Sequence, residues 1–179
     1  MNKLEVQKKL ENRNGSEGAS SQGGATLIEV LISLLILSVG LLGMTGLQTV
    51  SLRNTQSAYL RTQASIASND IVERIRANLQ GVEANSYDAN AGAATAACNT
   101  IAGCTAGQLA ANDIAEWKAA LAADLPAGAG TVCADATPED GTPGTPACDG
   151  VGNLYAVKIW WDEDRDGAAE KRFSLSFRP

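Results

Sequence analysis

The run from Ala25 to Leu47 constrains this chain more than any other feature. It holds 23 residues with a single charge, Glu29, near its start. As a helix it would reach about 35 Å, enough to cross a hydrocarbon core of about 30 Å. A lone carboxylate in such a segment costs roughly 2.5–3.5 kcal/mol on insertion scales. A group that costly implies a partner, so function is tied to what Glu29 meets.

The flanks predict an organisation. Residues 1–24 are polar and lack apolar periodicity, with Lys3, Lys8, Lys9 and Arg13 against Glu5, Glu11 and Glu17. In the twenty residues after the run the only charges are Arg53 and Arg61. That bias favours a cytoplasmic N-terminus and a head on the other side. The run is too long for a secretory signal core, and no small-x-small cleavage site leads out of it. Any cut is therefore expected before the run, giving a leader at 1–24, a membrane segment at 25–47 and a head at 48–179.

The head carries all four cysteines, Cys98, Cys104, Cys133 and Cys148. An even count in an exported domain predicts two disulfides, and three pairings are open. Loop economy favours Cys98–Cys104 and Cys133–Cys148. Zinc is the alternative, but neither pair has CxxC spacing and the chain has no histidine. The missing histidine also removes Ser-His-Asp and Cys-His catalysis, so no enzyme is expected. The net charge is −6, and without the leader ten basic residues face seventeen acidic ones. An acidic domain is a poor nucleic-acid binder.

The helical pattern continues beyond the membrane segment. Leu60, Ala64, Ala67, Ile71, Ile75 and Leu79 recur at steps of three and four, an amphipathic stripe. One helix is predicted from Thr26 to Gln80, with Gly81 as its stop. Gly40, Gly43 and Gly46 near the membrane exit read either as ordinary transmembrane glycines or as a spot built to unwind. Residues Val82 to Ala111 read as a loop. A second helix should follow, with Asp113 and Glu116 at capping-box spacing, Ile114, Trp117, Leu121 and Leu125 on its apolar side, and Pro126 ending it.

Two strands close the chain, Leu154–Trp161 and Arg172–Arg178, with a weaker one near Thr131–Ala134. Trp160 and Trp161 are neighbours, so they point to opposite faces. One should pack on the long helix and the other is expected to be exposed. The fold class is α+β, a long N-terminal helix packed on a small antiparallel β-sheet. Between the last strands lies Asp162-Glu163-Asp164-Arg165-Asp166-Gly167. Asp162, Asp164 and Asp166 have the spacing that opens an EF-hand calcium loop. Glu170 falls at the ninth position, but Phe173 stands where the bidentate Glu belongs. The plain reading is a solvated hairpin tip whose Asp and Gly suit the turn. Apart from calcium, no cofactor is expected.

Gly24, Ala25 and Thr26-Leu27-Ile28-Glu29-Val30-Leu31, followed by the apolar run, resemble the N-terminus of the type IV pilin superfamily. Within it the chain resembles PilV-type minor pilins, through Glu73-Arg74-Ile75-Arg76-Ala77-Asn78, Trp117-Lys118-Ala119-Ala120-Leu121 and Trp161-Asp162-Glu163-Asp164-Arg165-Asp166-Gly167. Two departures stand out: the leader is longer than the family's usual one, and Ala25 replaces the Phe usual in major pilins. The resemblance implies that a prepilin peptidase with paired aspartates cuts between Gly24 and Ala25 and methylates the new amine. It implies that the helix leaves the inner membrane for a filament core, where Glu29 meets the N-terminal amine of a neighbour. Implied partners are other minor and major pilins and the inner-membrane assembly platform. Priming or capping of pilus assembly, adhesion and twitching motility would follow. A minor pseudopilin of a type II secretion system shares the same N-terminal chemistry. A membrane-anchored periplasmic calcium-binding or enzymatic domain is the alternative of another class.

Overall fold

The computed structural model describes residues 26–89 and 91–179. Helix α1 (Leu27–Ala77) is followed by a short helix α2 (Leu79–Glu83), a 3-10 turn at Ala96–Asn99 and helix α3 (Ala106–Asp124). Strands β1 (Ala129–Ala134), β2 (Tyr155–Trp161) and β3 (Lys171–Phe177) close the chain. They form one antiparallel sheet in the order β1-β2-β3. This is the α+β arrangement the residue pattern predicts. The chain divides into two units within α1, at Thr49 and Val50.

In the first unit the described side chains of α1 are all exposed, and the surface they form is apolar. Its hydroxyls are hidden within the helix. Ser33, Ser38 and Thr45 donate to carbonyls one turn back at 2.8, 2.7 and 2.6 Å, which satisfies them without water. The helix runs unbroken through Gly40, Gly43 and Gly46, and a Cβ there would meet nothing within 4 Å. The glycines therefore do not unwind it. Among the described residues, α1 is the one helix long and apolar enough to cross a membrane.

The second unit is built on the amphipathic half of α1. Leu60, Ala64, Ile71, Val72 and Ile75 enter a core with Ile114, Trp117 and Leu121 of α3 and with Val132, Tyr155, Val157, Ile159, Trp161 and Phe177 of the sheet. Trp117 Nε1 donates to Ala67 O at 2.9 Å, tying α3 to α1. The stripe stops short of Leu79, which is exposed. The reason is Asn78. It interrupts the helix after Ala77 and caps α2, its Oδ1 accepting from Gly81 N–H at 3.1 Å. Gly81 is thus not the stop of α1. It sits where a Cβ would lie 2.5 Å from Asn78 Nδ2 and 3.2 Å from Ala106 O, so only glycine fits without displacement.

Helix α3 starts earlier than its charges suggest. Thr105 and Gln108 form the capping box, with Thr105 Oγ1 accepting from Gln108 N–H and Gln108 Oε1 accepting from Thr105 N–H. Such a cap stabilises a helix by about 1 kcal/mol. Asp113 and Glu116 lie inside the helix instead, and part of the predicted loop Val82–Ala111 is helical.

The sheet is covered on both faces. Tyr155, Val157, Ile159 and Trp161 belong to the helix-side core, whereas Ala156, Lys158 and Trp160 alternate to the other face. All seven residues of β2 are buried, so Trp160 is not the exposed residue the strand pattern predicts. The loop 135–149 covers that second face. Arg172 donates to Gly141 O at 3.2 Å and to Glu139 O, and Ser174 Oγ donates to Glu139 Oε1 at 2.5 Å.

Candidate functional site

Three groups of residues carry chemistry, and each is positioned by different physics. The first is Glu29. It lies in the first turn of α1, where a negative charge suits the positive end of the helix dipole. Around it Leu27, Ile28, Val30, Leu31 and Ile32 are exposed. Its carbonyl accepts from Ser33 Oγ. Among the described residues its carboxylate has no hydrogen bond or ion pair. A segment that satisfies its own hydroxyls thus carries one ionisable group without a partner among the described residues. Gly24 and Ala25 lie outside the described residues.

The second group is Asp162, Asp164 and Asp166, whose carboxylate oxygens lie within 4.8 Å of one another. Asp162 is buried and the other two are exposed. Asp162 Oδ1 accepts from Arg165 N–H at 2.7 Å and Asp166 N–H at 3.3 Å, and Oδ2 accepts from Gly167 N–H at 2.7 Å. Asp166 Oδ1 accepts from Ala168 N–H at 2.8 Å. Burial pushes the Asp162 carboxyl up, but the N–H groups of Gly167 and Arg165 more than offset this and hold it below the usual range. Two of the three aspartates thus organise the turn, which accounts for the D-x-D-x-D-G spacing by backbone geometry. Phe173, at the position of the missing bidentate ligand, belongs to β3 and packs against the core. A cavity of about 420 Å³ borders the loop, lined by Arg53, Gln56, Ser57, Glu163, Asp164 and Arg165.

The third group was not legible as a site. Lys158 is fully buried at the centre of the sheet, with Nζ 2.5 Å from Asp135 Oδ2, 2.6 Å from Asp140 Oδ1 and 2.9 Å from Pro146 O. Burial alone would lower the Lys158 pKa, but the two carboxylates raise it above its ordinary value. Asp135 is pushed up by burial, yet Lys158 and the Thr137 N–H hold it below the carboxylate range. This ion cluster fastens the loop 135–149 to the sheet. The available signal was a lysine in the middle of an otherwise apolar strand.

The cysteines join as Cys98–Cys104 and Cys133–Cys148, with Cα separations of 4.9 and 6.0 Å. The second bridge closes the loop that carries Asp135, Asp140 and Pro146. Loop closure of that length contributes on the order of 3 kcal/mol. At the end of α1, Arg74 pairs with Asp70 and Glu116, both at 2.9 Å, and with Asp113 at 3.5 Å. Glu116 also accepts from Asn99 and Asn112. The Asn99, Arg74 and Asn112 bonds hold its carboxyl below the usual range. The segment Glu73–Asn78 is therefore a junction between α1, α2 and α3.

The prokaryotic N-terminal methylation motif matches residues 19–45, and the family profile of the type IV pilin Tt1218 matches residues 46–115. The two matches adjoin and together run over more than half of the chain. The first holds Gly24, Ala25 and Glu29, and the second holds the Glu73–Asn78 junction and the Cys98–Cys104 bridge. The sheet and the Asp162–Gly167 turn lie outside both. No curated protein and no solved structure matches the chain.

Proposed function

We propose that this chain, which belongs to the type IV pilins, is a minor pilin that primes or caps pilus assembly and so supports adhesion and twitching motility. The supporting observation is Glu29, a single carboxylate without a described partner in the first turn of an apolar, exposed helix that satisfies its own hydroxyls. Processing between Gly24 and Ala25 supplies what it lacks. The cut creates an amine at Ala25, four residues ahead of Glu29, on every subunit. An amine on one subunit and a carboxylate on the next are each costly in an apolar core and tolerable as a pair. Ala25 in place of Phe suits a minor subunit.

In this reading the leader 1–24 stays in the cytoplasm until a prepilin peptidase removes it. The segment 25–47 holds the subunit in the inner membrane, and the head 48–179 lies in the periplasm. The assembly platform then passes the subunit to other minor and major pilins. The two disulfides suit an oxidising compartment. The family is structural, and the head's ion clusters serve packing.

Deletion of the chain's gene, scored separately for pili and for type II secretion, tests the assignment. Loss of pili and twitching with intact secretion supports it. Loss of secretion with intact pili would make the chain a pseudopilin. Mass spectrometry of the mature N-terminus should find methylated Ala25, and a retained leader would sink the processing step.

A further inference from the structure

The two edges of the sheet are finished differently. On β1 the outer edge meets other backbone and side chains. Ala89 N–H donates to Val132 O at 2.9 Å, Gly150 N–H donates to Ala134 O at 3.0 Å, and Ala134 N–H donates to Asp88 Oδ1 at 2.8 Å. Strand β3 forms the opposite edge and pairs with β2 along its whole length, from Lys171 to Phe177. Antiparallel pairing uses the N–H and C=O of alternate residues and turns the other set outward. Among the described residues nothing bonds to that outward set on β3.

The packing is also incomplete at this edge. Ile159 and Val157 on β2 are fully buried, while their β3 counterparts Phe173 and Leu175 are only partly buried against the same core. The strand is basic as well. Lys171 and Arg178 are exposed and have no ion pair or hydrogen bond among the described residues, and residues 171–179 hold no Asp or Glu. The chain as a whole is acidic, with a net charge of −6. A second β3 strand is a poor occupant, because its segment 171–179 brings Lys171, Arg172 and Arg178 and no carboxylate to an edge that is already basic.

We propose that the outer edge of β3 accepts an extended acidic segment of a neighbouring subunit as a fourth strand. Main-chain bonds give the hold, while Lys171 and Arg178 select carboxylates at the two ends, about 24 Å apart and on opposite faces of the added strand. The added strand would cover the exposed flanks of Phe173 and Leu175. Only the identity of the occupant rests on the pilin reading; the chemistry of the edge does not.

The test uses the full chain in detergent micelles and two synthetic octapeptides, Glu-Val-Thr-Val-Thr-Val-Thr-Glu (the Val-Glu peptide) and the same sequence with Lys at both ends (the Val-Lys peptide), whose end charges fall on opposite faces as Lys171 and Arg178 do. Amide hydrogen exchange is followed across residues 171–177. The Val-Glu peptide should slow exchange of alternate amides at least about tenfold, less so at high salt. The double variant Lys171→Glu/Arg178→Glu should prefer the Val-Lys peptide. No protection by millimolar Val-Glu peptide, or equal protection by both, overturns the proposal and makes the cations guards against pairing. A second measurement compares the same amides in isolated filaments. Protection there supports a subunit as occupant, and free exchange there overturns that part. A chain absent from filaments that still binds the acidic peptide overturns the pilin reading and leaves the edge chemistry standing.

Discussion

Tyr87 donates its phenolic hydrogen to Asp113 Oδ2 across 2.7 Å, and both side chains are buried. The same hydroxyl accepts from Asn78 Nδ2 at 3.1 Å, and Asn78 Nδ2 also donates to Ala106 O at 2.8 Å. One buried hydroxyl therefore links the end of α1, the cap of α2 and the middle of α3. Tyr87→Phe removes the donor and leaves Asp113 with Arg74 alone at 3.5 Å. The expected loss is about 1–3 kcal/mol, read from urea melts of the chain in detergent. Burial and the bond to Asp113 push the Tyr87 phenol well above its ordinary value. A raised folded pKa means the native state holds its proton longer, so this contribution falls as pH rises above about 10. The Phe variant should lack that part of the alkaline decline.

Lys158 is a costly side chain to remove from the head, because two carboxylates depend on it. Lys158→Met leaves Asp135 buried without its cation and should cost about 3–5 kcal/mol. Replacing Asp135 as well, by Leu, should recover part of the loss. Asp135 and Asp140 are both held below the usual carboxylate range. Depressed carboxylates stabilise above their unfolded pKa, near 4, and lose that effect as pH falls through the folded value. Acid melts should therefore show a decline below about pH 4 that the double variant lacks.

Asp162 separates a turn from a metal site. Its three backbone bonds need no cation, so Asp162→Ala should lower the thermal midpoint even in excess EDTA. Asp164→Asn should leave that midpoint nearly unchanged. Equal midpoints for Asp162→Ala and the parent in EDTA would show that the turn does not depend on the carboxylate.

Gly130 in β1 lies tight against the Trp117 and Leu121 side chains of α3. A Cβ there would lie 2.5 Å from both Trp117 Cη2 and Leu121 Cδ1. Gly130→Ala should cost about 1–3 kcal/mol through overpacking. The shift should appear in the near-UV circular dichroism of Trp117 as well as in the melt.

Glu29→Ala should insert into the membrane normally, since it removes the only charge of the run. It should fail to enter filaments, measured as the ratio of chain in sheared pili to chain in membranes. An unchanged ratio would show that pairing at Glu29 does not drive assembly.

Where the residues act locally, the pattern was readable. The period of the α1 stripe named Leu60, Ala64, Ile71 and Ile75, and the clusters of aromatic and β-branched residues named the strands. Failures came where a distant partner overrode a local signal. Asp113 and Glu116 have capping spacing, but Thr105 caps the helix and Asp113 is taken by Tyr87, far away in sequence. Gly81 looks like a helix stop, yet Asn78 breaks the helix first because it can bond Gly81, Tyr87 and Ala106 together. Trp160 should be exposed by alternation, yet Lys158, Asp135 and Asp140 draw the loop 135–149 over that face.

By itself the sequence determined the apolar helix and the place of Glu29 in its first turn, because hydrophobic period and helix rise act residue by residue. It also determined that Trp160 and Trp161 lie on opposite faces, through the two-residue period of the pleat, while the structure chose which one enters the core. Only the tertiary structure decided where α1 breaks, which carboxylates pair with Lys158 and which sheet edge stays open. Those outcomes depend on buried polar groups finding partners across the fold, and no local period encodes such partners.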